Sequence, residues 1–401
     1  MRILQVVPRY APAWAFGGGV RMTYELAREW VRTGHQVEVF TSDQQDASMR
    51  FEKTTDNVDG IIVHRFRNPS HALATRYSFL FFRPAGMVAA LKASAGRFDV
   101  VHVAESRGPH NRWVMQHIPP LAIPVVWSAY GGLADGEGLR RLYRRMHDRL
   151  YGTRDLVQRS AGLIAQTSHE REVYLRFGAN PSQIHLIPLA VNWNDFRALP
   201  DRGTFRARLG LGGTEKLILF LGRIHSTKGL QVLLPAFAHA ARQFPEARLA
   251  VVGWDHGYLQ AARKMVVELR LDAKVYFPGP LYGAERFNAY VDSDIFALTP
   301  GVYEETSLAA LEACASGVAC VVTRQCEIPG LDEAGGGRTV DYDVKAVTQA
   351  LEEALTAGTA AAWGQKARAM VHQRFTAEVV AKMHLEAFDG VRGLAKAAQP
   401  E

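Results

Sequence analysis

Short β-branched runs alternate with amphipathic stretches twice along the chain, and no other feature restricts the fold as much. Ile3 to Val7, Gln36 to Thr41, Ile61 to Phe66, Val100 to Val103 and Val125 to Ser128 read as strands, with helices over Arg21 to Thr33 and in the stretch up to Ala95. A second set begins at Leu217. Its strands, Leu217 to Leu221, Arg248 to Val252, Val275 to Phe277, Ile295 to Leu298 and Val318 to Val322, interleave with helices Gly229 to Gln243, Leu259 to Leu269, Ala284 to Val291 and Leu308 to Ala315. Strands that are apolar along nearly their whole length are buried on both faces, as in a parallel sheet covered by helices. The expected fold class is α/β, with two Rossmann-like doubly wound parallel-sheet domains facing across a cleft. The expected boundaries are an N-terminal domain over 1–191, a polar, turn-rich linker over 192–216 and a C-terminal domain over 217–375. A last helix over 376–401 is expected to pack back on the first domain.

The length agrees, because 401 residues exceed one ordinary core. The greasiest stretch, Tyr77 to Phe82, is cut by Arg83 and Pro84, so no apolar run approaches the roughly 20 residues that cross a bilayer. Met1 to Val7 meets Pro8 and Arg9 without the pattern of a signal peptide, and a cytoplasmic protein is expected. Cys314, Cys320 and Cys326 recur every sixth residue in an apolar passage, neither a metal pattern nor a disulfide framework. They read as reduced packing residues, with Cys326 able to border a site. Residues 1–200 hold 25 Lys and Arg against 17 Asp and Glu, while 201–401 hold 22 against 23. A basic first half favours an anionic partner there, whether nucleic acid, an acidic lipid surface or a phosphorylated small molecule.

Doubly wound sheets bind ligands at the carboxyl ends of their strands, so the loops there carry the chemistry. After the first strand stands Gly17-Gly18-Gly19, where bare backbone can approach an anion; a tight turn without a ligand is equally open. Gly222 and Arg223 follow the strand Leu217 to Leu221, with Lys228 and Gly229 beyond them before a helix. A guanidinium and an ammonium converging near a helix N-terminus can neutralise a diphosphate. After Ile295 to Leu298 come Glu304, Thr306, Ser307, Leu308 and Glu312. A carboxylate that accepts from vicinal hydroxyls suits ribose and hexose, so Glu312 is assigned to a ribose and Glu304 to a second sugar, with the amides of Thr306, Ser307 and Leu308 open to phosphate. Asp292-Ser293-Asp294 spells a metal-binding DxD but precedes an apolar strand and is read as structural, as is Asp341-Tyr342-Asp343. Arg140, Arg141, Arg144, Arg145, Arg149 and Arg154 share a segment with Leu139, Leu142, Tyr143, Met146 and Leu150. This is either a surface for anionic lipid or a phosphorylated acceptor, or a solvated helix whose apolar face packs inward. No nucleic-acid motif accompanies these arginines.

Gly222-Arg223 with Lys228-Gly229, then Glu304 seven residues short of Glu312, resembles the donor-site signature of the retaining glycosyltransferases of family four, which have the GT-B fold. Gly34-His35-Gln36-Val37, Phe98-Asp99-Val100-Val101-His102, Ile187-Pro188, Val252-Gly253, Phe277-Pro278-Gly279 and Asp294-Ile295-Phe296 extend the likeness over nearly the whole chain. The resemblance implies that Glu304 contacts the donor hexose, Glu312 the ribose, and Arg223 and Lys228 the diphosphate. Arg223, Lys228 and Glu304 are then the catalytic group. Gly18, Gly19, Gly222, Gly253, Gly279, Leu281, Thr306, Ser307, Leu308 and Glu312 are the further donor contacts. Acceptor contacts are placed at Tyr130, Gly131, Arg140 and Arg144. This chain departs from the family in three places. Tyr130 stands where many relatives carry a basic residue, Pro188-Leu189-Ala190-Val191-Asn192 replaces Pro-Asn-Gly-Val-Asp, and Glu305-Thr306-Ser307 replaces Gly-Phe-Gly.

The expected reaction is transfer of a sugar from a UDP or GDP sugar to a lipid-linked or oligosaccharide acceptor, with no cofactor and no essential metal, in cell-surface polysaccharide or glycolipid synthesis. The expected partners are the nucleotide sugar and that acceptor, with peripheral contact to an anionic membrane on its inner face and none to nucleic acid. A nucleotide-sugar epimerase and a non-catalytic sugar-nucleotide-binding protein are the alternatives on the same architecture.

Overall fold

The computed structural model describes residues 1–76, 82–94, 96–134 and 138–397. Residues 77–81 of the aromatic-rich stretch and Ala95 lie outside these, while Phe82 is buried. The chain forms two compact units, one of Met1–Ala190 with the stretch from Ala377, the other of Val191–Thr376.

The first unit holds an eight-stranded sheet of β1 (Arg2–Val6), β2 (Gln36–Ser42), β3 (Thr55–Val58), β4 (Ile61–Phe66), β5 (Val100–Ala104), β6 (Val125–Ser128), β7 (Gly162–Ala165) and β8 (Ile184–Leu186), in the order β3-β4-β2-β1-β5-β6-β7-β8. All neighbours are parallel except β3 against β4. β5, β6 and β7 are buried at every position, as strands covered on both faces must be. The helix Gly18–Arg32 lays Val20, Leu26, Ala27 and Trp30 on the sheet. Trp30 also receives the last helix, Ala377–Ala397: its indole N–H donates to the Ala381 carbonyl at 3.3 Å, and its ring meets Phe388 edge-on. The helix Gly138–Tyr151 is a correction to its inward-packing reading, because Leu142, Met146 and Leu150 all face solvent.

The second unit holds a wholly parallel six-stranded sheet of β9 (Lys216–Leu221), β10 (Ala247–Val252), β11 (Val275–Gly279), β12 (Ile295–Leu298), β13 (Ala319–Thr323) and β14 (Gly337–Val340), in the order β11-β10-β9-β12-β13-β14. The chain crosses from β9 outward to β11 and then returns to β12 on the other side of β9, which places the switch point between β9 and β12.

The stretch 192–216, expected as a linker, is built into this unit. Asp292 is fully buried and accepts from the amides of Gly203, Phe205 and Arg206 at 2.5, 2.6 and 2.9 Å, capping the helix Thr204–Arg208. Asp294 pairs with Arg206 at 2.8 Å and accepts from the Leu217 amide at 2.8 Å. The DxD spelling is thus spent on holding the segment to the sheet. Asp343 likewise caps the helix Val344–Leu355 through the Ala346 amide, and Asp341 pairs with Arg324.

The contact of the last helix with the first unit is sensitive to acid. His384 and His102 sit buried beside Trp30 and Phe388, and burial lowers both, His384 to about 4. Between 6.5 and that value the unfolded chain holds a proton that the folded chain does not. Their contribution is therefore complete above pH about 6.5 and is lost as pH falls. Unfolding free energy of the first unit should drop by up to about 1.4 kcal/mol per pH unit per histidine on acidification. Denaturant titrations of wild type and His384→Gln from pH 7 to 4 check this; an equally steep decline in the variant would refute it.

Candidate functional site

A glycine stands at the end of β11 and directly after β9 and β10, and at Gly253 the neighbouring backbone runs so close that no side chain fits. The Gly222 amide donates to the Val252 carbonyl at 3.0 Å and the Gly253 amide to the Gly279 carbonyl at 3.2 Å. A Cβ on Gly253, whose φ is +153°, would lie 1.7 Å from the Gly222 carbonyl oxygen. Gly253 thus lets the chain leaving β10 approach the chain leaving β9, and the Gly222 and Gly253 amides are already used. Arg223, directly after Gly222, is exposed.

The loop leaving β9 closes in a 3-10 turn, Ser226–Lys228, whose first amides are capped by His225 accepting from the Thr227 N–H at 3.2 Å. Gly229 follows at φ +80° and opens the helix Leu230–Gln243. A Cβ there would fall 1.4 Å from the Thr299 carbonyl oxygen at the end of β12, so only glycine permits the approach. That approach brings the two switch-point loops together, and Lys228 Nζ donates to Glu304 Oε1. The pair is largely buried, with side chains 10% and 23% exposed. The Glu304 amide donates to the Gln325 carbonyl at 2.8 Å, fixing the loop that carries the carboxylate. Cys326 borders this pair. Its thiol is pushed up to about 12, by burial first and then by the Glu304 charge, so it is an inert packing group.

Glu312 lies in the helix Leu308–Ala315 and is gripped by Arg286 and Tyr290 of the helix Glu285–Asp292. Arg286 Nε and Nη2 donate to its two oxygens at 3.0 and 3.2 Å, and the Tyr290 hydroxyl donates at 3.1 Å. Burial works against the guanidinium charge, yet the neighbouring Glu312 carboxylate holds Arg286 above its ordinary value. Burial and then the same carboxylate keep the Tyr290 proton bound. Two carboxylates, each tied to a cation, thus stand on adjoining parts of one loop and helix, beside a helix N-terminus whose first amides have no intrahelical acceptor. The amides at the helix N-terminus can meet phosphate, and the carboxylates can accept from sugar hydroxyls. Thr306 and Ser307 are buried in between, Thr306 donating to the Glu327 carbonyl at 2.8 Å, and Leu308 begins the helix. Glu305 takes φ +59° where the resembling family has glycine, which accounts for the glycine there: the loop demands a left-handed residue. Leu281 is half-buried in the loop after β11.

Sequence reasoning found Lys228, Glu304 and Glu312 but missed Arg286 and Tyr290, which lie 26 and 22 residues before the glutamate they hold. The Arg-x-x-x-Tyr spacing that puts both on one face of their helix was the available signal.

In the first unit Gly18 and Gly19 form the start of the helix Gly18–Arg32, with Gly17 at φ +91° before it. A Cβ on Gly19 would meet Glu105 Oε1 at 3.3 Å. Glu105 has φ +68° just past β5, and burial raises its carboxyl while the Arg9 charge opposes that. Tyr130 has φ +50° just past β6, and its hydroxyl is buried without a hydrogen bond of normal geometry. Glu105 and Tyr130 thus put two residues in left-handed backbone at neighbouring strand ends. The Gly131 amide, expected at an acceptor, is taken by Glu170 at 2.6 Å. Arg144 donates to the Ala134 carbonyl at 2.7 Å and so turns back on its own unit. The side chain of Arg140 lies outside the described residues.

A family model described as glycosyl transferases group 1 matches residues 201–370, and one described as glycosyltransferase family 4 matches residues 16–194. Among curated relatives, the D-inositol 3-phosphate glycosyltransferase of Kineococcus radiotolerans is 28% identical over 360 residues, covering 83% of this chain and 79% of the relative. Among solved structures, Alr3699/HepE of Anabaena in complex with UDP superposes with a TM-score of 0.73 at 18% identity, over 97% of this chain and 100% of that one. The sucrose-phosphate synthase of Thermosynechococcus elongatus gives 0.72 at 20% identity, over 99% and 100%.

The Glu312 clamp makes a direct prediction. Arg286→Met strands a mostly buried carboxylate and should cost the second unit about 2–4 kcal/mol, while adding Glu312→Gln should recover much of that loss. Denaturant titrations of the single and double variants measure the coupling, and losses that simply add would show that the pair does not act as a unit.

Proposed function

The chain belongs to the group 1 glycosyltransferases of family 4 and has the GT-B fold, and from that premise we propose that it transfers a hexosyl unit from a UDP or GDP sugar with the anomeric configuration retained. The observation that carries this reading is the Lys228–Glu304 pair at the switch point of the second sheet, next to Glu312 and a helix N-terminus. In the reaction the bond from the anomeric carbon to the β-phosphate oxygen breaks, the acceptor oxygen bonds that carbon on the same face, and the acceptor proton passes to the leaving phosphate. Negative charge grows on that phosphate, where Lys228 and Arg223 stabilise it more in the transition state than in the ground state. Glu304 accepts from the transferred sugar and Glu312 from the ribose. Two cations supply the charge that a divalent ion provides elsewhere, so transfer is expected to persist with a chelator present. The UDP held by the Anabaena neighbour supports the uridine nucleotide.

The first unit, with its basic excess, is assigned the acceptor: a lipid-linked or oligosaccharide acceptor in cell-surface polysaccharide or glycolipid synthesis, approached from the inner face of an anionic membrane. A phosphorylated polyol is the second reading, supported by the name of the Kineococcus relative.

A thermal-shift panel of UDP, GDP and ADP sugars tests the donor, with selective stabilisation by uridine nucleotides expected. Arg223→Ala should lower turnover about a hundredfold while leaving the melting temperature unchanged, since the residue is exposed. Undiminished turnover in that variant would remove Arg223 from the site. Product NMR reads the anomeric outcome, and an inverted product would defeat retention.

A further inference from the structure

A surface helix ordinarily buries its apolar side. The helix Gly138–Tyr151 does the reverse. Its inward side is polar: His147 is buried, Asp148 forms a two-point ion pair with Arg107 at 2.8 and 3.0 Å, and Arg144 donates to the Ala134 carbonyl. Arg107 is anchored in turn to the Leu133 carbonyl at 3.2 Å, and Thr153 donates to Asp148 at 2.9 Å, so the orientation of the helix is fixed from below. On the outward side Leu142, Met146 and Leu150 recur every fourth residue and are 68%, 61% and 65% exposed, with Tyr143 beside them. Arg141, Arg145 and Arg149, all exposed, run parallel to that stripe at the same spacing.

We infer that this face docks on a bilayer leaflet bearing anionic headgroups, with Leu142, Met146 and Leu150 entering the acyl boundary and Arg141, Arg145 and Arg149 meeting lipid phosphate. Charge selects the occupant. A second copy seated on the same stripe would set three arginines against three arginines, whereas an anionic leaflet offers both an apolar layer and the opposite charge. No described helix is long and apolar enough to cross a membrane, so this one lies in the plane of the interface. The inference deepens the lipid-linked reading of the acceptor and rests on it.

Sedimentation of the full chain with vesicles tests this, using phosphatidylcholine alone and phosphatidylcholine mixed with phosphatidylglycerol. Wild type should sediment with the mixed vesicles and remain in solution with the neutral ones. R141S/R145S/R149S should lower partitioning by on the order of a hundredfold, from about fivefold per basic residue at such a surface. L142S/M146S/L150S should abolish it. Both variants should keep the wild-type melting temperature and UDP shift, because the altered residues face solvent. Wild type that ignores both vesicle types, binds them equally, or binds as its variants do would overturn the proposal. So would a dimer, seen by ultracentrifugation, that L142S/M146S/L150S dissolves. A retained UDP shift without lipid binding defeats the docking surface alone, and lipid binding without a UDP shift defeats the donor reading alone.

Discussion

Gly229 rests against the Thr299 carbonyl at a separation that no other residue could reach, and the chemistry of the second unit depends on that approach. The Thr299 hydroxyl returns a hydrogen bond to the Gly229 carbonyl at 2.9 Å, and the Gly301 amide adds one to Thr227 at 3.3 Å. Loops from β9 and β12, some seventy residues apart in sequence, are thereby welded at the switch point. Lys228 and Glu304 meet as a result, and neither side chain could be placed so firmly by its own loop. A left-handed glycine at the mouth of a helix acts here as a spacer of zero thickness.

Much of this was legible beforehand, because it rests on local pattern. Apolar runs located β1, β2, β4, β5 and β6 of the first sheet and β9 to β13 of the second, but not the short β3, β7, β8 and β14. Lys228 and Glu304 stood out as charges in loops where strands end, and Glu312 as a charge in the helix that follows. What escaped notice depends on partners distant in sequence. Arg286 and Tyr290 look like ordinary residues of an amphipathic helix until Glu312 is set beside them. The stretch 192–216 is polar enough to pass for a linker, yet its polar groups are fastened by Asp292 and Asp294, carboxylates read as structural but without sight of the partners they hold. The helix Gly138–Tyr151 shows the limit most sharply. Periodicity reveals two faces but not which one looks inward, and here the Arg107–Asp148 pair made the choice.

The two units treat charge differently. In the second, the acidic groups of the site are already matched, Glu304 by Lys228 and Glu312 by Arg286, so the edge is held rigid before any ligand arrives. In the first, Glu105 and Tyr130 sit in left-handed backbone with their polar ends buried, a costlier arrangement kept where strands β5 and β6 finish. One edge is preorganised by neutralisation and the other stores strain.

The first unit is also discontinuous, its sheet built from residues 1–190 and one flank supplied by Ala377–Ala397. On the ribosome, Trp30 and His102 emerge hundreds of residues ahead of the Phe388 that covers them. The intervening unit, contiguous from Val191 to Thr376, can reach its native state while the earlier one still lacks that cover. The middle of the polypeptide can therefore mature first, while its opening half waits on the last helix to be sealed.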